Sequence, residues 1–183
     1  MQLTRKLLVC NMINKWLVKT IIGLDLCPFT RKPYIEGKVL IEELSGQDSA
    51  QAQNQFLTAL NFFQGQAQFE TVLLAYPQWK VSFEEFYDFL GDCEELLVSL
   101  GLEDEFQLVA FHPDFCFDGL KFANRANLVN SSPFALIHIL KIQDLELLNL
   151  SMKEAKAMSF GNAKKLEALS QEELLDHFPW RAI

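Results

Sequence analysis

Apolar residues fall along this chain in two patterns, stripes at helical spacing and short continuous runs. Over 4–22, Val9, Met12, Ile13, Trp16 and Leu17 recur at helical spacing while Lys15 and Lys19 lie off the stripe, which predicts a helix closed by Gly23. A second stripe, Ala52, Phe56, Leu57, Leu60 and Phe63, predicts a helix over 49–63, preceded by the turn residues Ser45 to Asp48. Phe83, Phe86, Tyr87, Leu90, Cys93 and Leu97 form a third, opened by the capping box of Ser82 and Glu85. Between these helices the runs 39–44, 71–75 and 106–111 read as strands, the last as a strand covered on both faces. Pro113, directly behind His112, withdraws a backbone donor and stops that strand.

Past the third strand the pattern weakens. The stretch 114–131 reads as a long loop, rich in Asn and carrying Phe115, Phe117 and Phe122; loops of that length in a domain are functional or mobile. After Ser132 and Pro133 the chain reads either as a helix over 134–141 or as a strand over 136–142, and periodicity does not separate the two. Helical segments are expected over 144–150 and 162–178, the last polar enough to be peripheral, with His177 facing solvent. Alternating helices and strands predict an α/β or α+β fold with a small three- to four-stranded sheet, helical crossovers, an N-terminal helix and C-terminal helical segments. The expected organisation is one domain over 1–183, with a core over 4–141 and a helical extension over 142–183.

Composition narrows the function classes. Half of the 183 residues are apolar, enough for one sizeable core. A net charge of −8 disfavours nucleic acid as a partner, because phosphate-backbone binding rests on clustered Lys and Arg. No run reaches the ~18 apolar residues of a membrane span. The first helix carries Arg5, Lys6, Asn11 and Asn14 where a signal peptide needs an apolar centre, so a cytoplasmic protein without a membrane partner is expected. Cys10, Cys27, Cys93 and Cys116 lack any C-x-x-C pairing and are expected as reduced thiols, with Cys10 and Cys93 packing inside helical stripes.

Candidate chemistry gathers at two places. Cys27 precedes Pro28, a first helical residue, so its sulfur would sit at a helix N-terminus with Arg31 and Lys32 one turn on, an environment that favours thiolate. The structural alternative is a small buried residue between Leu26 and Phe29. His112 lies where a strand ends, as does Tyr76, and open sheets bind ligands outside such ends. Its structural alternative is an imidazole bridging loop carbonyls. Were the second and third strands parallel, Glu70 would lie at the opposite edge from His112; were they antiparallel, the two could pair. Cys27, His112, Cys116 and His138 also compose a two-Cys, two-His set for zinc, although without short ligand spacing, and no other cofactor is expected. Gly-rich phosphate loops, a G-x-S-x-G elbow and a dinucleotide fingerprint are missing from the sequence.

Trp16, then Gly23-Leu-Asp-Leu-Cys-Pro-Phe, Glu70-Thr-Val-Leu-Leu with Pro77, Ala110-Phe-His-Pro with Phe117, and Asn130-Ser-Ser-Pro-Phe with His138 resemble the domain-of-unknown-function family fourteen-fifteen of bacteria and plants. That resemblance runs to Lys141 and implies recurring positions at Cys27, Pro28, Glu70, His112, Pro113, Asn130, Pro133 and His138, without implying an activity. Thr30, Ser131, Ala135 and Lys141 depart from the pattern. Ser131 stands where the family has Arg, and a serine cannot give bidentate anion recognition. The resulting expectation is a small enzyme with a strand-end pocket for a small molecule: His112 as acid/base or ligand, Cys27 as nucleophile or ligand, Glu70 and His138 as orienting groups, and Asn130, Arg31, Tyr76 and Phe117 as binding residues. The alternative is a non-catalytic binding or assembly module that docks a partner on the Phe-rich 114–131 loop.

Overall fold

The computed structural model describes residues 2–143 and 152–181. A four-stranded mixed sheet separates two layers of helices, and the fold is α+β as expected. In chain order the elements are α1 (Gln2–Trp16), which continues without a break as a π-helical turn (Leu17–Ile22), then α2 (Pro28–Ile35), β1 (Val39–Glu43), α3 (Ser49–Gln64), β2 (Thr71–Ala75), α4 (Phe83–Leu100), β3 (Phe106–Phe111), a 3-10 helix (Arg125–Asn130), β4 (Leu136–Lys141), α5 (Met152–Ala168) and α6 (Gln171–His177). The ambiguous stretch after Pro133 is therefore a strand. The helix expected over 144–150 lies outside the described residues.

The strand order is β1-β2-β4-β3. The α3 crossover sets β2 parallel to β1, whereas α4 carries the chain one place further before β3 begins, and β4 later enters the gap antiparallel to both neighbours. β1, β2 and β3 consequently point the same way. Their ends at Tyr76 and His112 share one rim, and Glu70 lies at the other edge of the sheet.

Each face of the sheet has its own core. On one, Phe56, Leu60 and Phe63 of α3 and Phe86, Phe89, Cys93 and Leu97 of α4 pack on Val72, Leu74, Leu108, Ile137 and Ile139. The Ser82 and Glu85 capping box forms at the start of α4, and Gly101 ends it with φ 67°, a left-handed turn that a side chain would strain. On the other face Val9, Ile13, Trp16 and Leu17 pack on Leu73, Ala75 and Leu136.

Four expectations are corrected by this packing. Met12 and Tyr87, placed in apolar stripes by spacing, are exposed. The C-terminal helices are not peripheral: Leu166, Leu174 and Phe178 are fully buried in the second core. His177 is half-buried rather than facing solvent, its ring Nδ1 3.4 Å from the Thr20 hydroxyl. β3 is an edge strand, not one covered on both faces; Phe106, Leu108 and Ala110 are buried against α4, but Gln107 is exposed on the other side. The fully covered strand is β2, all five residues of which are buried.

Tyr76 is sealed on the α4 side by the rings of Trp79, Phe86 and Phe89, at centroid separations of 5.9, 6.2 and 5.7 Å. Its hydroxyl is buried and has no hydrogen-bond partner among the described residues. Leaving a donor unsatisfied in such a place costs more than deleting it. Tyr76→Phe is therefore expected to stabilise the fold by about 1 kcal/mol, raising Tm by about 2–4 °C. A melting curve shifted downward would show that the hydroxyl contributes a contact.

Candidate functional site

Between the sheet and the second helical layer the packing does not close down completely. A hollow of about 440 Å³ remains. Its roof is the end of α1 with Trp16, the π-helical turn with Leu17 and Ile21, and the start of α2 with Cys27, Phe29 and Thr30. Its floor is Thr71 and Leu73 of β2, His138 and Leu140 of β4, and Gln107, Val109 and Phe111 of β3. Val129 and Asn130 from the 3-10 helix and Asn162 from α5 contribute further wall. Exposed Gln107 marks where the hollow meets solvent. Trp16 and Phe111 meet edge to face at 5.3 Å along one side.

His138 is brought here by register. It pairs with Leu73 of β2 and Val109 of β3, so all three project from the same face. Its Nε2 lies 2.5 Å from the Thr71 hydroxyl oxygen, and that hydroxyl lies 2.7 Å from the carbonyl of Ile139. A threonine has one proton to give. Donated to Ile139, it leaves the oxygen to accept from the ring, which fixes the proton on Nε2 and leaves Nδ1 as a bare acceptor. Nδ1 makes no hydrogen bond among the described residues. Burial pushes the imidazole down to about 4, so the ring is neutral at pH 7.

Cys27 holds the position expected of it, the N-cap of α2 with Pro28 opening the helix. It is reached through Asp25, whose φ of 51° is the left-handed geometry that Asp tolerates better than most side chains. The electrostatics differ from expectation. Burial raises the thiol above its ordinary value, and the Thr30 hydroxyl and the backbone N–H groups of Phe29 and Thr30 pull it the other way without prevailing. Arg31 and Lys32 are exposed, and Arg31 donates to the carbonyl of Ile22 at 2.9 Å instead of reaching the sulfur. Cys27 is a neutral thiol on the wall of the hollow, not the thiolate that the helix end and two cations suggested.

His112 does not join them. Successive residues of a strand face opposite sides, so Phe111 borders the hollow while His112 turns under α4 between Phe83 and Phe86, ring centroids 5.8 and 5.7 Å away. Its Nδ1 accepts from the backbone N–H of Asp114 at 3.0 Å, leaving Nε2–H to donate to the carbonyl of Val81 at 3.2 Å. Burial lowers its basicity as well. The backbone N–H of His112 donates to the carbonyl of Asn130, tying the strand end to the 3-10 helix that walls the hollow.

The remaining candidates are dispersed. Glu70 pairs with Lys38 at 2.6 Å, at the edge away from His112. Tyr76 belongs to the opposite core, and Arg31 and Phe117 are exposed and do not line the hollow. Cys116 donates its thiol to the carbonyl of Leu120 and accepts from Asn127, within the loop. Cys27 and His138 border one cavity, His112 lies across the sheet, and no group of three or more His, Cys, Asp or Glu side chains converges for a metal among the described residues.

A family model described as "Protein of unknown function (DUF1415)" matches residues 8–176. The chain belongs to this family. No curated protein and no solved structure matches the chain. The family match takes in every lining residue of the hollow among the described residues, from Trp16 to Asn162. Beyond it, Trp180 donates to the Ser131 hydroxyl at 3.0 Å, and Arg181 donates to the carbonyls of Pro113, Phe115 and Phe122. Phe115 is buried and Phe122 lies under the Arg181 guanidinium, so the Phe-rich loop is held down by the C-terminal segment. Among the described residues no helix is long and apolar enough to cross a membrane.

Sequence reasoning missed Thr71 and Arg181. Thr71 read only as the start of a strand, and its partner His138 is 67 positions away. Arg181 stands among the apolar residues Phe178, Pro179, Trp180, Ala182 and Ile183, and that setting is the signal that could have marked it as buried.

Proposed function

We propose that the protein binds an uncharged small molecule in the hollow between the sheet and α1. One observation carries this reading: an otherwise apolar cavity of about 440 Å³ has a few polar side chains on its walls, and among the described residues none that lines it is charged. Ligand sites of this size combine an apolar wall with a small number of placed polar groups. His138 is the polar anchor and Thr71 orients its ring. His112 is a positioning residue, holding through Asn130 the 3-10 helix that closes one side. Glu70, Arg31, Tyr76 and Phe117 stand away from the ligand. None of the four cysteines is in a disulfide, in keeping with a reducing cytoplasm.

A second reading, catalysis in the same hollow, is favoured by the Cys27 thiol and the bare His138 nitrogen bordering one cavity. There His138 would take a proton and Cys27 would give one or attack. Both readings require occupancy, which Nile red, an uncharged environment-sensitive dye, tests directly. One saturable site with enhanced fluorescence is expected, and Val109→Trp, which places an indole into the hollow from an edge strand, is expected to abolish it. Undiminished dye binding by a Val109→Trp protein with native circular dichroism would place the dye elsewhere and remove this reading.

A further inference from the structure

The hollow, taken as the ligand site argued above, also restricts what can fill it. Its polar groups are unequally committed. The Thr71 proton goes to Ile139 and the His138 Nε2 proton to Thr71, while Asn130 gives an amide N–H to the carbonyl of Ala110 at 3.3 Å. Two acceptors are left over: Nδ1 of His138 and the amide oxygen of Asn130 have no donor among the described residues. Neither atom is among the sealed, unpartnered polar atoms of the described residues, so a ligand that supplies a donor can reach them.

Charge is excluded on separate grounds. With no Lys, Arg, Asp or Glu lining it among the described residues, an ionised ligand would lose its water without gaining a counter-charge. Burial holds His138 neutral, so it cannot serve as the missing cation for an anion. The rings of Trp16, Phe29 and Phe111 on the walls suit a flat or alicyclic ring system. We infer that the hollow takes an uncharged, ring-containing alcohol or phenol whose hydroxyl donates to Nδ1 of His138.

Three matched naphthalenes separate the elements of this inference. 2-Naphthol carries the donor, 2-methoxynaphthalene has the same ring without it, and 2-naphthoate replaces it with an anion. By titration against imidazole ¹⁵N resonances, 2-naphthol is expected to bind roughly fivefold tighter than 2-methoxynaphthalene, the worth of one neutral hydrogen bond. It alone should move the Nδ1 resonance of His138 upfield, and 2-naphthoate should bind weakest. His138→Phe should leave the methoxy compound bound and erase the preference for the naphthol. The wild-type Nδ1 shift gives the same answer should that variant fold poorly. Equal binding of the naphthol and its ether, or tighter binding of the naphthoate, overturns the ligand assignment while leaving the hollow as a site. Failure of all three to perturb His138 counts against the hollow itself.

Discussion

Acidification from pH 6.5 to pH 4 is expected to cost the folded protein about 3 kcal/mol that a His138→Gln variant retains. The imidazole has an ordinary value of 6.5 and is pushed down to about 4 by burial. In the unfolded chain it takes up a proton as the pH falls through 6.5; in the fold it refuses one until about 4. Across that window the unfolded state binds more protons, so stability is fully present above 6.5 and drains away as the pH drops. At about 1.4 kcal/mol per pH unit the window amounts to about 3 kcal/mol. Among the described residues no charged side chain lines the hollow to offset an imidazolium there. His112 and His177 are also lowered and act in the same sense, so the wild type alone would not isolate the effect. Gln keeps an N–H for the Thr71 oxygen and does not titrate. Urea denaturation of both proteins at pH 7 and pH 4.5 measures the difference, and an identical acid loss in the variant would show that His138 is not the buried neutral group described.

Arg181→Ala is expected to lower stability by about 3 kcal/mol and Tm by about 6–12 °C. The side chain is 4 % exposed, and its guanidinium donates to three carbonyls: Pro113 at 2.9 Å, Phe115 at 3.0 Å and Phe122 at 3.1 Å. Hydrogen bonds from a charged donor are stronger than neutral ones, and removing it takes the donor from the Phe115 carbonyl, while the carbonyls of Pro113 and Phe122 keep Ser131 and Asn127. It also covers the Phe122 ring at 3.9 Å, and beside it the Ser131 hydroxyl donates to the same Pro113 carbonyl at 3.1 Å. An ammonium cannot reproduce that planar fork, so Arg181→Lys should recover only part of the loss. A melting temperature within 2 °C of wild type by calorimetry would mean that the tail does not hold the loop (threshold of about 1 kcal/mol).

Much of the local structure was legible because it is governed by near neighbours. The three strand runs, the Ser82 and Glu85 cap, and the placement of Cys27 ahead of a Pro-opened helix all follow from spacing and backbone chemistry within a few residues. The site was legible only in fragments. Cys27 and His138 stood out as residues, but the chain offered His112 as the obvious companion for Cys27, since both lie beside a proline in a loop. Alternation along β3 dictates that Phe111 and His112 face opposite ways, yet it does not say which face carries α1. The reactivity of Cys27 was misjudged for a related reason: a helix end is visible in sequence, and the burial that outweighs it is not.

By itself the sequence determined the helices and strands up to His112, the family, the scarcity of cationic clusters and the presence of a few imidazoles and thiols in an apolar chain, but not that 136–141 is a strand. Which of these meet was decided by β4 entering between β2 and β3. That insertion sets His138 beside Thr71 and over the hollow, and it leaves His112 across the sheet and Glu70 at the far edge. Strand pairing at such separations depends on hydrogen bonds and packing between segments remote in the chain, and no local pattern encodes their order.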